Sequence, residues 1–237
     1  MNRHRLKRCL KVPILEEMVR QPPLTSPLWP RGMHETEEGS AHDFATIELM
    51  TEQDILGLIA QDAWMMKVLE TARSLRLPDW MIGAGFVRNK VWDHLHGYEN
   101  AEVPTADIDL IYFDAEDVSE EREKGYDALL RQKLGVNWST KNQARMHEKH
   151  GRADAYMNTE EALSEWVETP TCVAVRLEDN DVLTLFAPHG ITDLVNLTVR
   201  PSPAFLNNPD PFWERIKTKG WEQKWPKLKI IAESVRR

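Results

Sequence analysis

The chain has 237 residues, 41% of them hydrophobic and 29% charged, with a net charge of −8 at neutral pH. That is enough for one substantial globular domain with extensions, and no apolar run reaches the length of a membrane span. The basic N-terminus lacks the apolar segment and small-residue cleavage site of a secretory signal, so a cytoplasmic protein is expected; Cys9 and Cys172 match no zinc or redox spacing, and a pair of free thiols is favoured over one disulfide because that compartment is reducing.

The charge is unevenly spread. Residues 1–20 hold six Lys/Arg against two Glu, and residues 212–237 hold eight against three, which leaves −17 for the middle. A surface that grips nucleic acid offsets phosphate repulsion with basic residues, so only the two ends suit that role.

Residues 1–45 contain Pro22, Pro23, Pro27 and Pro30 and little periodicity. They read as a flexible arm before a domain over 46–237, or as residues preceding a true start at Met33 or Met50. Thr51-Glu52-Gln53-Asp54 is a capping signature, followed by apolar residues at helical spacing through Leu77, as two helices or one bent helix, ended by Pro78. Trp80 to Ile82 forms a short strand, Phe86 to His96 a helix and Ile108 to Phe113 a second strand. Ser119 to Leu134 is a charged helix, Asn137 to Gln143 a third strand with a short helix after it, and Thr159 to Trp166 another helix. Thr171–Leu177 and Val182–Phe186, rich in β-branched residues, make a hairpin. A turn and short helix at 188–197 and a helix over 211–219 complete an α+β arrangement. Trp221 and Trp225, four apart among lysines, either dock a helix on the domain or stack a nucleic-acid base, and docking is the favoured reading.

Two segments carry chemistry. Gly83-Ala84-Gly85 lies between a strand and a helix, where backbone N–H groups meet an anion. Asp107 and Asp109, two apart, share one face of a strand, where they either converge on a divalent cation with oxygen ligands, magnesium or manganese, or simply cap a loop or face solvent. Lys141, Asn142, Gln143, Arg145 and His147 form a polar cluster at a strand end, suited to a base or ribose or simply solvated.

Gly83-Ala-Gly-Phe-Val-Arg88 followed by Asp107-Ile-Asp109 resembles the nucleotidyltransferase superfamily. The likeness is greatest to the catalytic head of transfer-RNA CCA-adding enzymes and poly(A) polymerases, where a Gly-Gly-x-Val-Arg-Asp helix start precedes an Asp-x-Asp strand. Gly83 to Asp93, Leu95 to Tyr98, Lys141 to His147 and Ala187-Pro188 resemble, over residues 51–225, a small family of stand-alone bacterial nucleotidyltransferase-like proteins. The resemblance implies a polymerase-beta-like head, a mixed sheet flanked by helices. It implies metal-dependent transfer of a nucleotidyl group from a nucleoside triphosphate to an acceptor. Asp107 and Asp109 would be catalytic and bind metal. Gly83, Gly85, Arg88, Lys141, Asn142 and Arg145 would hold the nucleotide.

Two departures stand out. Asn89 replaces the Asp that follows the Arg in the CCA-adding pattern. The strand expected to bring a third carboxylate, Trp138 to Gln143, has no acid, which leaves Glu148, Glu168 or Asp193 to supply one, or else a nucleotide-binding module without catalysis. CCA-adding enzymes use further helical domains to hold transfer RNA, so a small molecule or protein is favoured over RNA as acceptor. RNA binding through the two basic ends is the weaker alternative.

Overall fold

The computed structural model describes residues 50–98 and 107–231. The N-terminal arm and Cys9 lie outside the described residues, while Cys172 is a buried free thiol. In chain order the elements are α1 (Glu52–Ala60), α2 (Ala63–Arg73), β1 (Met81–Gly83), α3 (Gly85–Leu95), β2 (Ile108–Tyr112), α4 (Glu120–Leu134) and β3 (Trp138–Asn142). They continue with α5 (Met146–Lys149), α6 (Thr159–Ser164), β4 (Ala174–Leu177), β5 (Leu183–Phe186), α7 (Thr192–Val195) and β6 (Thr198–Val199), then α8 (Asp210–Lys219), α9 (Trp221–Lys224) and β7 (Lys229–Ile230).

The capping box at Thr51 forms as its sequence requires: the Asp54 N–H donates to Thr51 Oγ1, and Asp54 in turn accepts from the Thr51 N–H. The first helical stretch is two helices, because Asp62 leaves the helix and accepts from the N–H groups of Trp64 and Met65 to start α2. Its other oxygen binds Lys90 Nζ at 2.6 Å and ties α2 to α3.

The main sheet has five strands in the order β3-β2-β1-β4-β5. β2 and β3 are parallel, joined across by α4, and the remaining pairs are antiparallel. The expected mixed sheet flanked by helices is therefore present. One face, with Ile82, Ile108, Leu110, Tyr112 and Val175, packs on Ile55, Leu69, Val87, Val91 and Leu130 of the helices. The opposite face carries a smaller apolar cluster, Met81, Ile111, Leu163 and Ala174, with Trp166 and Phe186 against it. The rest of that second face carries polar side chains.

Strand alternation decides what reaches the second face. On β2, Ile108, Leu110 and Tyr112 go to the helical side, and Asp109 and Ile111 to the other. On β3, Trp138, Thr140 and Asn142 are buried, and Ser139 and Lys141 alternate with them. Parallel register sets Asp109 beside Ser139 and Ile111 beside Lys141.

The C-terminal segment docks on the domain. Trp221 and Trp225 are buried against Trp92 with ring centroids 5.7 and 5.1 Å away, and Trp225 Nε1 donates to Asp93 Oδ1 at 2.7 Å. β6 and β7 form a second, two-stranded parallel sheet.

Candidate active site

Asp107 stands just before β2 and is exposed, and Asp109 lies one turn of the pleat later on the open face. Burial and the neighbouring Asp107 charge push the Asp109 carboxyl up to about 6, against the opposing pull of Arg88, Lys219 and Arg215. A carboxyl whose charge is opposed by burial and by a neighbouring acid is one that a hard divalent cation stabilises. Magnesium needs only one or two carboxylates when substrate phosphates and water complete its shell, so these residues fit it. Among the described residues no group of three metal-ligating side chains gathers.

None of the three acids considered from sequence completes the pair. Glu168 is fully buried and gripped by Arg215, whose Nε and Nη2 lie 2.6 and 3.3 Å from its two oxygens. Asp193 accepts from Thr169 Oγ1 at 2.6 Å and pairs with Arg200. Glu148 is exposed on α5 and takes no part in the pocket lining.

The turn before α3 is held by strand β4's neighbour: the Ala84 N–H donates to the Val173 carbonyl at 3.0 Å. The unusual backbone belongs to Ala84, at φ 52° and ψ −121°, and neither flanking glycine has positive φ. Gly83 is instead a matter of space, since a Cβ there would meet the Trp166 ring at 3.0 Å. The N-terminus of α3 has no side-chain cap, so its first-turn N–H groups are left to meet an anion.

Against this turn and Asp109 lies a pocket of about 350 Å³. Ala84 and Thr171 line it at the turn, Lys141 and Gln143 at the end of β3, His150 after α5, Glu165 and Trp166 after α6, and Arg215 from α8. Of the residues named from the sequence, the fold thus gathers Asp109, Lys141, Gln143 and the Gly83–Gly85 turn, with Asp107 next to Asp109 in the chain.

Three others are placed elsewhere. Arg88 is 6% exposed, donates to Thr171 Oγ1 at 2.8 Å and to Asn89 Oδ1 at 3.1 Å, and lies over the rings of Trp92 and Trp221. Burial lowers its pKa to about 10. Asn142 falls on the helical side of β3, where its amide bridges Asp114, Asp117 and Ala144. Arg145 is paired with Glu123 and Glu120. All three brace the scaffold, and none lines the pocket.

Conversely, His150, Glu165 and Arg215 line it without having been singled out as site residues. They come from three separate segments and share no spacing motif. Only the excess of basic residues beyond position 211 hinted at Arg215.

Residues 70–230 match a family model described as nucleotidyltransferase. A solved structure described as an NMR structure revealing a CCA-adding enzyme head domain is 33% identical, with a TM-score of 0.69, over 77% of this chain and 96% of that one. A CCA-adding enzyme in complex with CTP is 14% identical with a TM-score of 0.46, over 76% of this chain and 43% of that one. The Thermotoga maritima CCA-adding enzyme complexed with transfer RNA is 16% identical with a TM-score of 0.45, over 77% and 42%. The chain spans less than half the length of these two enzymes. Comparison with curated proteins gives no match.

Proposed function

The chain belongs to the nucleotidyltransferase family, and from that premise we propose that its pocket binds a nucleoside triphosphate and passes the nucleotidyl group to a small-molecule or protein acceptor. The observation that carries this reading is the Asp107–Asp109 pair, with Asp109 pushed toward protonation, beside a pocket bounded by the uncapped start of α3. Asp107 and Asp109 would hold magnesium or manganese, which supplies charge neutralisation on the triphosphate and lowers the pKa of the attacking hydroxyl.

The chain's own groups do the positioning. First-turn N–H groups of α3 donate to phosphate oxygens, with Gly83 and Gly85 shaping the turn. Lys141, 3.3 Å from Glu123, and Arg215, paired with Glu168, lie in the lining, and with Lys219 acting on Asp109 from the same helix as Arg215 they turn cationic groups toward the triphosphate. Positioning of this kind carries most of the catalysis in phosphoryl-type transfer. The −17 of the middle of the chain favours a small molecule or protein over RNA as acceptor. Among the described residues no helix is long and apolar enough to cross a membrane, and a cytoplasmic setting completes the proposal.

A second reading, a nucleotide-binding module without catalysis, is favoured by one observation: the residue beside Asp109 on β3 is Ser139 rather than an acid. Calorimetric titration of each nucleoside triphosphate with magnesium into wild type and Asp107→Asn/Asp109→Asn, paired with a pyrophosphate-release assay, tests both. Metal-dependent binding that the double variant loses supports the site, and release of pyrophosphate separates enzyme from module. Equal binding by both proteins rejects the site.

A further inference from the structure

Gln143 and His150 both line the pocket, and each brings a hydrogen-bond acceptor to it. Gln143 is 2% exposed, and its Nε2 donates to the Lys141 carbonyl at 3.2 Å. That contact fixes the amide, because the reversed orientation would set Oε1 against the same carbonyl oxygen. Gln143 Oε1 is left buried with no hydrogen-bond partner, and an unmet buried acceptor calls for a donor from a ligand.

His150 is oriented by a chain of three groups. Its Nδ1 lies 2.7 Å from Tyr156 Oη, and Tyr156 Oη lies 3.0 Å from Glu165 Oε2. Arg152 Nη1 donates to Glu165 Oε1 at 2.8 Å, a guanidinium–carboxylate ion pair. An ionised carboxylate only accepts, so the single phenolic proton goes to Glu165 and the phenolic oxygen must accept from His150 Nδ1–H. In the neutral ring the bare nitrogen is therefore Nε2, the one left for a ligand. Burial, opposed by the Glu165 charge, holds His150 below its ordinary value and favours that neutral ring.

Resting on the nucleotidyl-transfer reading, we infer that Gln143 and His150 form the subsite for a hydroxyl-bearing acceptor, with His150 Nε2 as the group that takes its proton. Lys141 and Arg215 share the lining with Asp109 and Glu165, so its charge is mixed, and a neutral donor such as a hydroxyl meets the two acceptors without adding to either sign. The acceptor oxygen forms a bond to the α-phosphorus, the bond from that phosphorus to the α,β-bridging oxygen breaks, and pyrophosphate leaves with the electron pair. The hydroxyl proton moves to His150 Nε2, and solvent later removes it. Tyr156 and Glu165 are positioning residues that fix the tautomer and stabilise the imidazolium, as a carboxylate does for a catalytic histidine elsewhere. The arrangement supplies a proton acceptor from outside β3, whose residue beside Asp109 is a serine.

The test uses the full chain with magnesium ATP and glycerol as an uncharged hydroxyl donor, following pyrophosphate release against pH, with ATP affinity measured by calorimetry. Expected are glycerol-stimulated release, a loss of about 100-fold or more in His150→Ala with ATP affinity unchanged, and rescue of that variant by added imidazole. Tyr156→Phe should lose about tenfold, within the smaller range of positioning effects, and Gln143→Leu should raise the glycerol concentration needed for half-maximal rate. Full activity in His150→Ala, or wild type that binds magnesium ATP and never releases pyrophosphate, overturns the inference while leaving the nucleotide site standing. Absence of ATP binding by wild type overturns the nucleotide reading itself. Proton–nitrogen NMR gives an arm free of substrate: His150 should carry its proton on Nδ1, and an Nε2–H tautomer overturns the relay.

Discussion

The guanidinium of Arg88, in the first turn of α3, lies 4.4 Å from the ring centroid of Trp221 in α9. Trp92 stacks on the same guanidinium at 5.1 Å, and Thr171 Oγ1 accepts from it. The helix start that gives the chain its family signature is thus held in place by the C-terminal segment.

Trp221→Ala should therefore destabilise the whole domain by about 3–5 kcal/mol, the usual range for a buried tryptophan, because it removes packing and uncovers a buried cation. Urea unfolding measures this as a lower midpoint with little change in slope. An unchanged midpoint would mean that α9 is an appendage.

In metal-free protein the contribution of Asp109 to stability should fall as pH rises. Asp109 is raised to about 6 in the folded state from an ordinary value of 3.8, so between those values the native state binds more protons than the unfolded chain, and stability falls as pH rises. A shift of about two pKa units corresponds to about 3 kcal/mol, with the decline ending just above pH 6. Asp109→Asn should flatten that slope in metal-free buffer, and magnesium should restore the stability of wild type at pH 7.5. Thermal unfolding across pH 4–8 reads both effects, and a wild-type slope equal to that of the variant would remove the electrostatic basis of the metal site.

Glu123 is 1% exposed on α4. It accepts from the Asn142 N–H at 2.8 Å and from Arg145 Nε and Nη2 at 2.8 and 2.6 Å. Burial resists its ionisation, but the Arg145 and Asn142 hydrogen bonds and the Lys141 charge together hold it below the ordinary range. Its contribution is present at neutral pH and is lost as pH falls through that lowered value. Glu123→Ala leaves Arg145 with only the exposed Glu120 as partner and a strand N–H unmet, and should cost about 3–5 kcal/mol. Arg145→Ala should lower stability and leave nucleotide affinity unchanged, which calorimetry on the same samples decides.

What the sequence made legible, and what it did not, follows from the range of the forces involved. β1, α3 and β2 were readable because short apolar runs, a glycine turn and i,i+2 carboxylates are local signals. β6 and β7 were not, because two residues at 198–199 pair with two at 229–230 and neither run has a periodicity of its own. Arg88, Asn142 and Arg145 were assigned to the nucleotide by the resemblance, and the hydrogen bonds that hold each of them reach to segments distant in the chain. For Asn142 the period-two alternation with Thr140 held the answer, since Lys141 is the residue that shares a face with Ser139 beside Asp109. His150, Glu165 and Arg215 reach one pocket only through tertiary folding.

The turn itself yields a graded prediction. Ala84 holds a backbone conformation, φ 52° and ψ −121°, that costs a non-glycine residue about 1–3 kcal/mol. Glycine relieves that strain and gives back about 0.4–1 kcal/mol through the freedom of the unfolded chain. Ala84→Gly should accordingly stabilise by roughly 1 kcal/mol, the difference between those ranges. Gly83→Ala goes the other way, because its Cβ would sit 3.0 Å from Trp166 Cη2 and 3.4 Å from the Val173 carbonyl oxygen. The indole must shift, at about 1–3 kcal/mol for overpacking, and since Trp166 lines the pocket, nucleotide affinity should fall as well. Gly85→Ala meets only the amide end of Asn89, at 3.2 Å, and the Arg88 guanidinium, at 3.6 Å, so its effect on stability should be the smaller of the two. Urea midpoints for the three variants test the order, and Gly85→Ala proving worse than Gly83→Ala would show that the tight side of the turn is α3 rather than the Trp166 wall.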